Sequence, residues 1–301
     1  MKKLSLYLLA LLFALTWTAC QSPETQQPTY PNSDLLVHVT WLTEHLDDES
    51  VRIIDMRPEG FNEGHIPGAV NIPGVALLHD TENPIAHFLI DGDRFADLMG
   101  SIGLRNDQRV VIYDDGNSLF SARMFYALEL YGHDKIHILN GGFAAWESAG
   151  FELATIPREF PVTTFSVRKN EDATCDALYI RDRIDDPNTI VFDARSAEEF
   201  RGEDVRAARA GHIPGAVNLE WSTFVYQEED QIPFFRSYEE ISQILADAGI
   251  TPDKEVISHC HTNVRGSHAY FTLRLMGYDS VRAYEGSWSE YGNLPDAPIS
   301  L

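Results

Sequence analysis

The sequence predicts an α/β protein built from two duplicated domains, each a mainly parallel sheet with helices on both faces. Three observations carry this reading. The run His65-Ile66-Pro67-Gly68-Ala69-Val70-Asn71 recurs as His212-Ile213-Pro214-Gly215-Ala216-Val217-Asn218, and seven identical residues in a row mark an internal repeat. Short apolar runs alternate with longer segments of helical period, the pattern of strands joined through helices. A chain of 301 residues has room for two ordinary cores.

Taken in order, the chain opens on a targeting signature. Lys2 and Lys3 precede an apolar run from Leu4 to Leu15, too short to cross a bilayer comfortably, and residues 1–19 read as an export signal. Ala19-Cys20 resembles a bacterial lipoprotein processing site, although Trp17 sits where that pattern prefers an aliphatic residue. Cys20 is then the lipidated first residue of the mature chain and its one contact with a membrane, placing the protein in the cell envelope, facing the periplasm or on the outer membrane. Ordinary cleavage near Ala19 is the alternative. The polar, proline-bearing stretch 20–33 suits a tether.

The first domain spans 34–155 and the second 171–301, with 156–170 as a linker interrupted by Pro157 and Pro161. Strands are expected at Arg52–Met56, Arg109–Tyr113, Lys135–Leu139, Ile190–Ala194, Glu255–Ser258 and Ser280–Tyr284. Helices are expected at Asp93–Met99, Ser121–Tyr131, Tyr238–Ala248 and Ser267–Met276. Upstream of each copy of the repeat an apolar run ends in Asp-x-Arg, at Asp55-Met56-Arg57 and Asp193-Ala194-Arg195. Downstream, one constant offset pairs Gly132 with Gly277, Asp134 with Asp279 and Gly141 with Gly286.

Composition narrows the function. A net charge of −23 with no Lys/Arg run argues against nucleic acid as a partner, while a small anionic substrate remains compatible because local donors outweigh distant screened charges. Three cysteines are present. With Cys20 committed to lipid, Cys175 reads as a structural bystander at the start of a helix and Cys260 as a free thiol. No cofactor and no metal are expected.

Cys260 is the chemical focus. It follows the apolar strand Glu255-Val256-Ile257 and precedes a helical segment, so loop amides and the positive end of a helix dipole face its sulfur and favour thiolate over thiol. In parallel sheets reactive groups collect at the carboxyl ends of strands, where Cys260 falls. His259, His261 and Arg265 are its charged or titratable neighbours in the chain.

The paired Asp-x-Arg and His-Ile-Pro-Gly-Ala elements, the Cys-x-x-x-Val-Arg-x-Ser loop and the segment Gly141-Gly142-Phe143-x-x-Trp146 together resemble a tandem rhodanese-domain sulfurtransferase, from about Asp34 to Asn293. The resemblance implies a catalytically empty first domain, and the constant offset sets Asp115 opposite Cys260. It implies that Cys260 takes sulfur from a small anionic donor as a persulfide and passes it to an acceptor such as cyanide or a thiol, with the loop His261-Thr262-Asn263-Val264-Arg265 cradling the sulfur. Arg195 and Arg201 match the family's donor-binding arginines, against the commoner role of Arg195 as a partner of Asp193. Thr262 and His87 match a proton relay of mercaptopyruvate enzymes, with no secure match for its Asp beyond nearby Asp80. Thiosulfate is favoured slightly over 3-mercaptopyruvate as donor.

Alternatives remain at this stage. Four residues separate Cys260 from Arg265, whereas phosphatases of a related fold carry a longer loop that cradles phosphate, so phosphatase or arsenate-reductase chemistry is the lesser reading. A non-catalytic binding module is the other. Asn263 stands where the family usually has Gly and is expected to keep a left-handed conformation at least cost. His65 and His212 read as braces for the Pro-Gly turns, and Trp146, Trp221 and Trp288 as core or cleft wall. Glu228-Glu229-Asp230 reads as a solvated loop, and Tyr226 to Phe235 as a flap over the cleft.

Overall fold

The computed structural model describes residues 29–228 and 231–301. The export signal, Cys20, most of the tether and Glu229-Asp230 lie outside the described residues. Strands β1 (Leu36–Val37), β2 (Val51–Asp55), β3 (Ala69–Asn71), β4 (Arg109–Tyr113) and β5 (Ile136–Leu139) form a sheet in the order β1-β5-β4-β2-β3. Strands β6 (Thr174–Cys175), β7 (Thr189–Asp193), β8 (Val217–Asn218), β9 (Glu255–His259) and β10 (Val281–Tyr284) repeat that order as β6-β10-β9-β7-β8. Every pairing is parallel. Central strands such as β2 and β4 are buried along nearly their whole length, as a sheet covered on both faces requires.

Helices α1 (Val39–Glu44), α2 (Gly92–Ser101), α3 (Leu119–Leu130) and α4 (Gly142–Ser148) belong to the first domain. Helices α5 (Ala177–Arg181), α6 (Ala197–Phe200), α7 (Tyr238–Asp247), α8 (Val264–Leu275) and α9 (Ser287–Tyr291) belong to the second. Helices α3 and α8 are buried almost all round because each packs its own sheet on one side and the other helix on the other. Phe125 meets Phe271 with ring centroids 4.9 Å apart, and Tyr126 meets Tyr270 at 5.3 Å. The two contacts exchange under the repeat, so the domains meet about a pseudo-twofold axis and share their largest core.

The expected central strands and long helices form within a few residues of their assigned bounds. The edge strands β1, β3, β6 and β8 were not expected, because two or three residues carry too little alternation to read. One correction follows: Cys175 lies on edge strand β6, paired with Tyr284, and not in a helix. The Asp176 carboxylate accepts the Tyr179 N–H and so caps α5 one residue further on. Residues 156–169 carry no helix or strand and run along the first domain, where Thr163 and Arg168 donate to Gly100 and Tyr131. No helix among the described residues is long and apolar enough to cross a membrane.

Candidate active site

Each copy of the repeated motif builds the same scaffold. The Arg195 guanidinium forks onto Asp193 at 2.6–3.0 Å and donates to the Gly211 carbonyl at 2.9 Å; Arg57 does the same with Asp55 and Gly64. His212 stacks on Phe200 at 3.7 Å and bonds its carbonyl, as His65 does with Phe61 at 3.9 Å. Both histidines thus brace the turns.

Both arginines of the expected donor clamp have partners within the fold. Arg195 is buried and its contacts are internal to the fold, and its guanidinium packs 4.4 Å over the Trp288 ring. Arg201 is half exposed and paired with Glu203 and Glu198. The arginine that reaches the cysteine loop's own carboxylate partner is Arg265, whose guanidinium grips Glu199 at 2.5 and 3.0 Å. Burial opposes the Arg265 charge, but the Glu199 carboxylate and the neighbouring Cys260 sulfur hold its pKa above the ordinary value. Glu199 also completes the capping box of α6, which fixes it beneath the loop. Burial pushes the pKa values of His259 and His261 down, so the charge beside Cys260 at neutral pH comes from Arg265 and not from the flanking imidazoles.

Cys260 leaves the end of β9 and has no exposed surface. Its backbone N–H donates to Ser287 Oγ at 3.3 Å, and its carbonyl accepts from Trp288 N at 3.0 Å. Asn263 takes φ 56° and ψ 11°, the left-handed conformation expected of it, and opens α8. Among the described residues no acceptor is bonded to the amides of His261 to Gly266. Free amides at a helix start, with one left-handed residue among them, are the elements of an anion-binding nest. A side chain at Gly266 would crowd Asn263 Oδ1 and the His259 backbone, so it would have to displace the Asn263 amide.

The first domain shows what such a nest accepts. Sheet register sets Tyr113 opposite His259, since each pairs with the Asp of its own Asp-x-Arg motif. Asp114, not Asp115, is therefore the counterpart of Cys260, and the first-domain loop is one residue longer. The matching bond confirms this, because Phe143 N donates to the Asp114 carbonyl as Trp288 N does to that of Cys260. The constant offset fails here because it holds for the helices but not across this loop. The Asp114 carboxylate takes four amides, from Gly116, Ser118, Phe120 and Ser121, at 3.0–3.1 Å. Burial raises its pKa and these four donors oppose the rise. Ser118, at φ 62°, repeats the left-handed turn of Asn263.

Several residues that position the loop escaped sequence reasoning. Glu285 accepts from Asn263 Nδ2 at 2.8 Å, from Leu89 N at 2.9 Å and from both ends of Arg123 at 2.6 and 2.9 Å. Arg123 and Leu89 belong to the first domain, so that domain holds the Cys260 loop through one buried ion pair. Ser287 sits at φ 49° where the first domain has Gly142 at φ 51°, a mismatch visible by aligning the repeats. Its hydroxyl, bonded to Cys260 N and the Tyr284 carbonyl, accounts for a side chain in a strained position.

The expected relay is not assembled. His87 is exposed and its Nδ1 faces His79 Nδ1 at 2.9 Å; no described hydrogen bond joins it to Thr262, whose side chain is half buried at the loop rim. Asp80 pairs with Arg94. Tyr226 N donates to the Phe234 carbonyl, and Phe235 N donates to Asn140 Oδ1 of the first domain. Pro233 and Phe234 lean on Gly116 and Gly141 and cover the first-domain loop. Cys175 and Cys260 are both free thiols, and burial pushes the Cys175 pKa up. Among the described residues no cluster of His, Cys, Asp and Glu is arranged to hold a metal.

A family model described as the rhodanese-like domain matches residues 38–149 and 176–294. The chain belongs to the rhodanese family. Among rhodanese relatives, it is 33% identical over 286 residues to the sulfur carrier protein TtuD of Thermus thermophilus, covering 90% of this chain and 98% of that one. It is 32% identical to a thiosulfate sulfurtransferase of Pseudomonas aeruginosa, covering 89% and 97%. Of solved rhodanese structures, the 3-mercaptopyruvate sulfurtransferase SseA of Escherichia coli superposes with a TM-score of 0.74 at 29% identity, over 85% of this chain and 99% of that one.

Proposed function

We propose that this tandem rhodanese is a sulfurtransferase in which Cys260 carries sulfur as a persulfide. The observation that carries the reading is the pair of matched nests. In the first domain four amides hold the Asp114 carboxylate. In the second the amides of the corresponding loop, His261 to Gly266, have no acceptor among the described residues.

The chemistry follows. The Cys260 thiolate attacks the outer sulfur of the donor; a new S–S bond forms, and the donor's own bond to that sulfur breaks with its electron pair leaving on the donor residue. From thiosulfate the leaving group is sulfite; from 3-mercaptopyruvate it is the pyruvate carbanion, which must be protonated. Thiosulfate fits better, because it needs no proton relay and none is assembled between His87 and Thr262. The negative terminal sulfur of the persulfide then rests on the amides of His261 to Gly266, beside Arg265. Cyanide or a thiolate attacks that sulfur and regenerates the Cys260 thiolate, a two-step covalent cycle. Arg195 supports the loop through Trp288.

The loop is too short for a tetrahedral phosphate, which weighs against phosphatase chemistry, and a decayed binding module would have no reason to keep Cys260, Arg265 and a free nest together. Export and lipidation at Cys20 are part of the same proposal, resting on the leader composition alone. The test is thiocyanate formation from thiosulfate and cyanide, with 3-mercaptopyruvate run beside it. Wild type turns over and Cys260→Ala does not; retained turnover in that variant overturns the mechanism.

A further inference from the structure

A cavity of about 400 Å³ lies at the amino-terminal edge of the first sheet, the end opposite the Asp114 loop. Arg52, near the start of β2, forms its floor and is 4% exposed. Only its Nη2 is bonded, to the Gly103 carbonyl at 3.1 Å; Nε and Nη1 are buried without a partner. A guanidinium withdrawn from water with two donors unmet is costly unless a ligand meets them.

Its surroundings do not supply one. The linker residue Phe160 lays its ring 3.2 Å from the Arg52 guanidinium, and Arg158 lies 5.0 Å from the same ring. Arg105 also lines the cavity, with its guanidinium paired to Asp107 at 3.0 Å. Burial, then Arg158 and Arg105, pull the Arg52 pKa down to about 10. The lining acids Asp47, Asp48, Glu49 and Glu159 are exposed, and none is ion-paired with Arg52 or Arg158 among the described residues. In a chain of net charge −23, arginines gathered around unmet buried donors are the mark of an anion site.

We propose that this cavity binds a small tetrahedral dianion of the sulfate or phosphate class, with Arg52 donating from the floor and Arg158 closing the mouth. The site is separate from Cys260 and stands whether or not the sulfur-transfer reading holds.

Calorimetric titration of the full chain with sodium sulfate, sodium phosphate and sodium thiosulfate, at matched ionic strength, tests it and ranks the three anions. Saturable binding of at least one is expected in wild type and in Cys260→Ala. It should weaken tenfold or more in Arg52→Gln and in Arg158→Ala, while thiosulfate:cyanide turnover stays at the wild-type rate. Arg158 is exposed, so its variant reports even where Arg52→Gln fails to fold. Absence of saturable binding by all three anions in wild type, or affinity unchanged in Arg158→Ala, overturns the proposal, as does loss of binding in Cys260→Ala.

Discussion

Replacing Arg123 by Met isolates the contribution of the empty domain to the catalytic loop. Arg123 has no exposed surface and makes two charged hydrogen bonds to Glu285, which is 6% exposed. Breaking a buried pair from one side strands the other charge and typically costs 3–5 kcal/mol. Glu285 would keep its donors Leu89 N and Asn263 Nδ2, which places the expected loss at the lower end, on the order of 3 kcal/mol. The double variant Arg123→Met with Glu285→Gln removes the stranded charge, so its loss should fall short of the sum of the single losses by about 1–3 kcal/mol. Urea unfolding gives the stabilities, and single-turnover persulfide formation reports the loop. The Arg123→Met rate should fall because Glu285, released from the Arg123 fork, holds Asn263 less rigidly. A loss below about 1 kcal/mol, or strict additivity in the cycle, would refute the coupling.

Three further outcomes are expected. Ser287→Gly relieves the positive φ, worth about 1–2 kcal/mol, and deletes two hydrogen bonds of about 1 kcal/mol each; unfolding should change little while kcat falls, and an unchanged kcat would remove Ser287 from the positioning of Cys260. His268 is fully buried against Phe235 and its pKa is lowered to about 3 by burial. The unfolded chain therefore binds a proton near pH 6.5 that the folded chain refuses, so stability falls by roughly 1.4 kcal/mol per pH unit between about 6.5 and about 3. His268→Phe should flatten that slope, and an unaltered slope would contradict the assignment. Cys20→Ala should move the protein from the membrane fraction to the soluble one, and continued membrane association would refute lipid anchoring.

The fold was legible because duplication repeats its evidence: two runs of His-Ile-Pro-Gly-Ala-Val-Asn, two Asp-x-Arg strand ends and one shared spacing of glycines. The central strands were readable as continuous apolar runs, while β6 was not, since Thr174-Cys175 is a pair of residues whose pairing with β10 exists only in three dimensions. At the site, Cys260, Arg265 and the turn at Asn263 were legible from local sequence. Arg195 was harder, because a motif match does not say whether a guanidinium points at a ligand or at the Asp two residues before it; the identical geometry of Arg57 in the empty domain favours the second. Glu285, Arg123 and Leu89 act across a domain boundary, and no local pattern joins them. Asp115 was misassigned because a constant offset ignores the extra residue in the first-domain loop, whereas strand register identifies Asp114.

The claim that Cys260 carries sulfur on a nest of amides is tested most directly by intact-protein and peptide mass spectrometry after exposure to thiosulfate without acceptor. The account predicts one added sulfur atom, located on the peptide containing Cys260, absent in Cys260→Ala and discharged as thiocyanate on adding cyanide. An unmodified Cys260, or sulfur found on Cys175 instead, would contradict it.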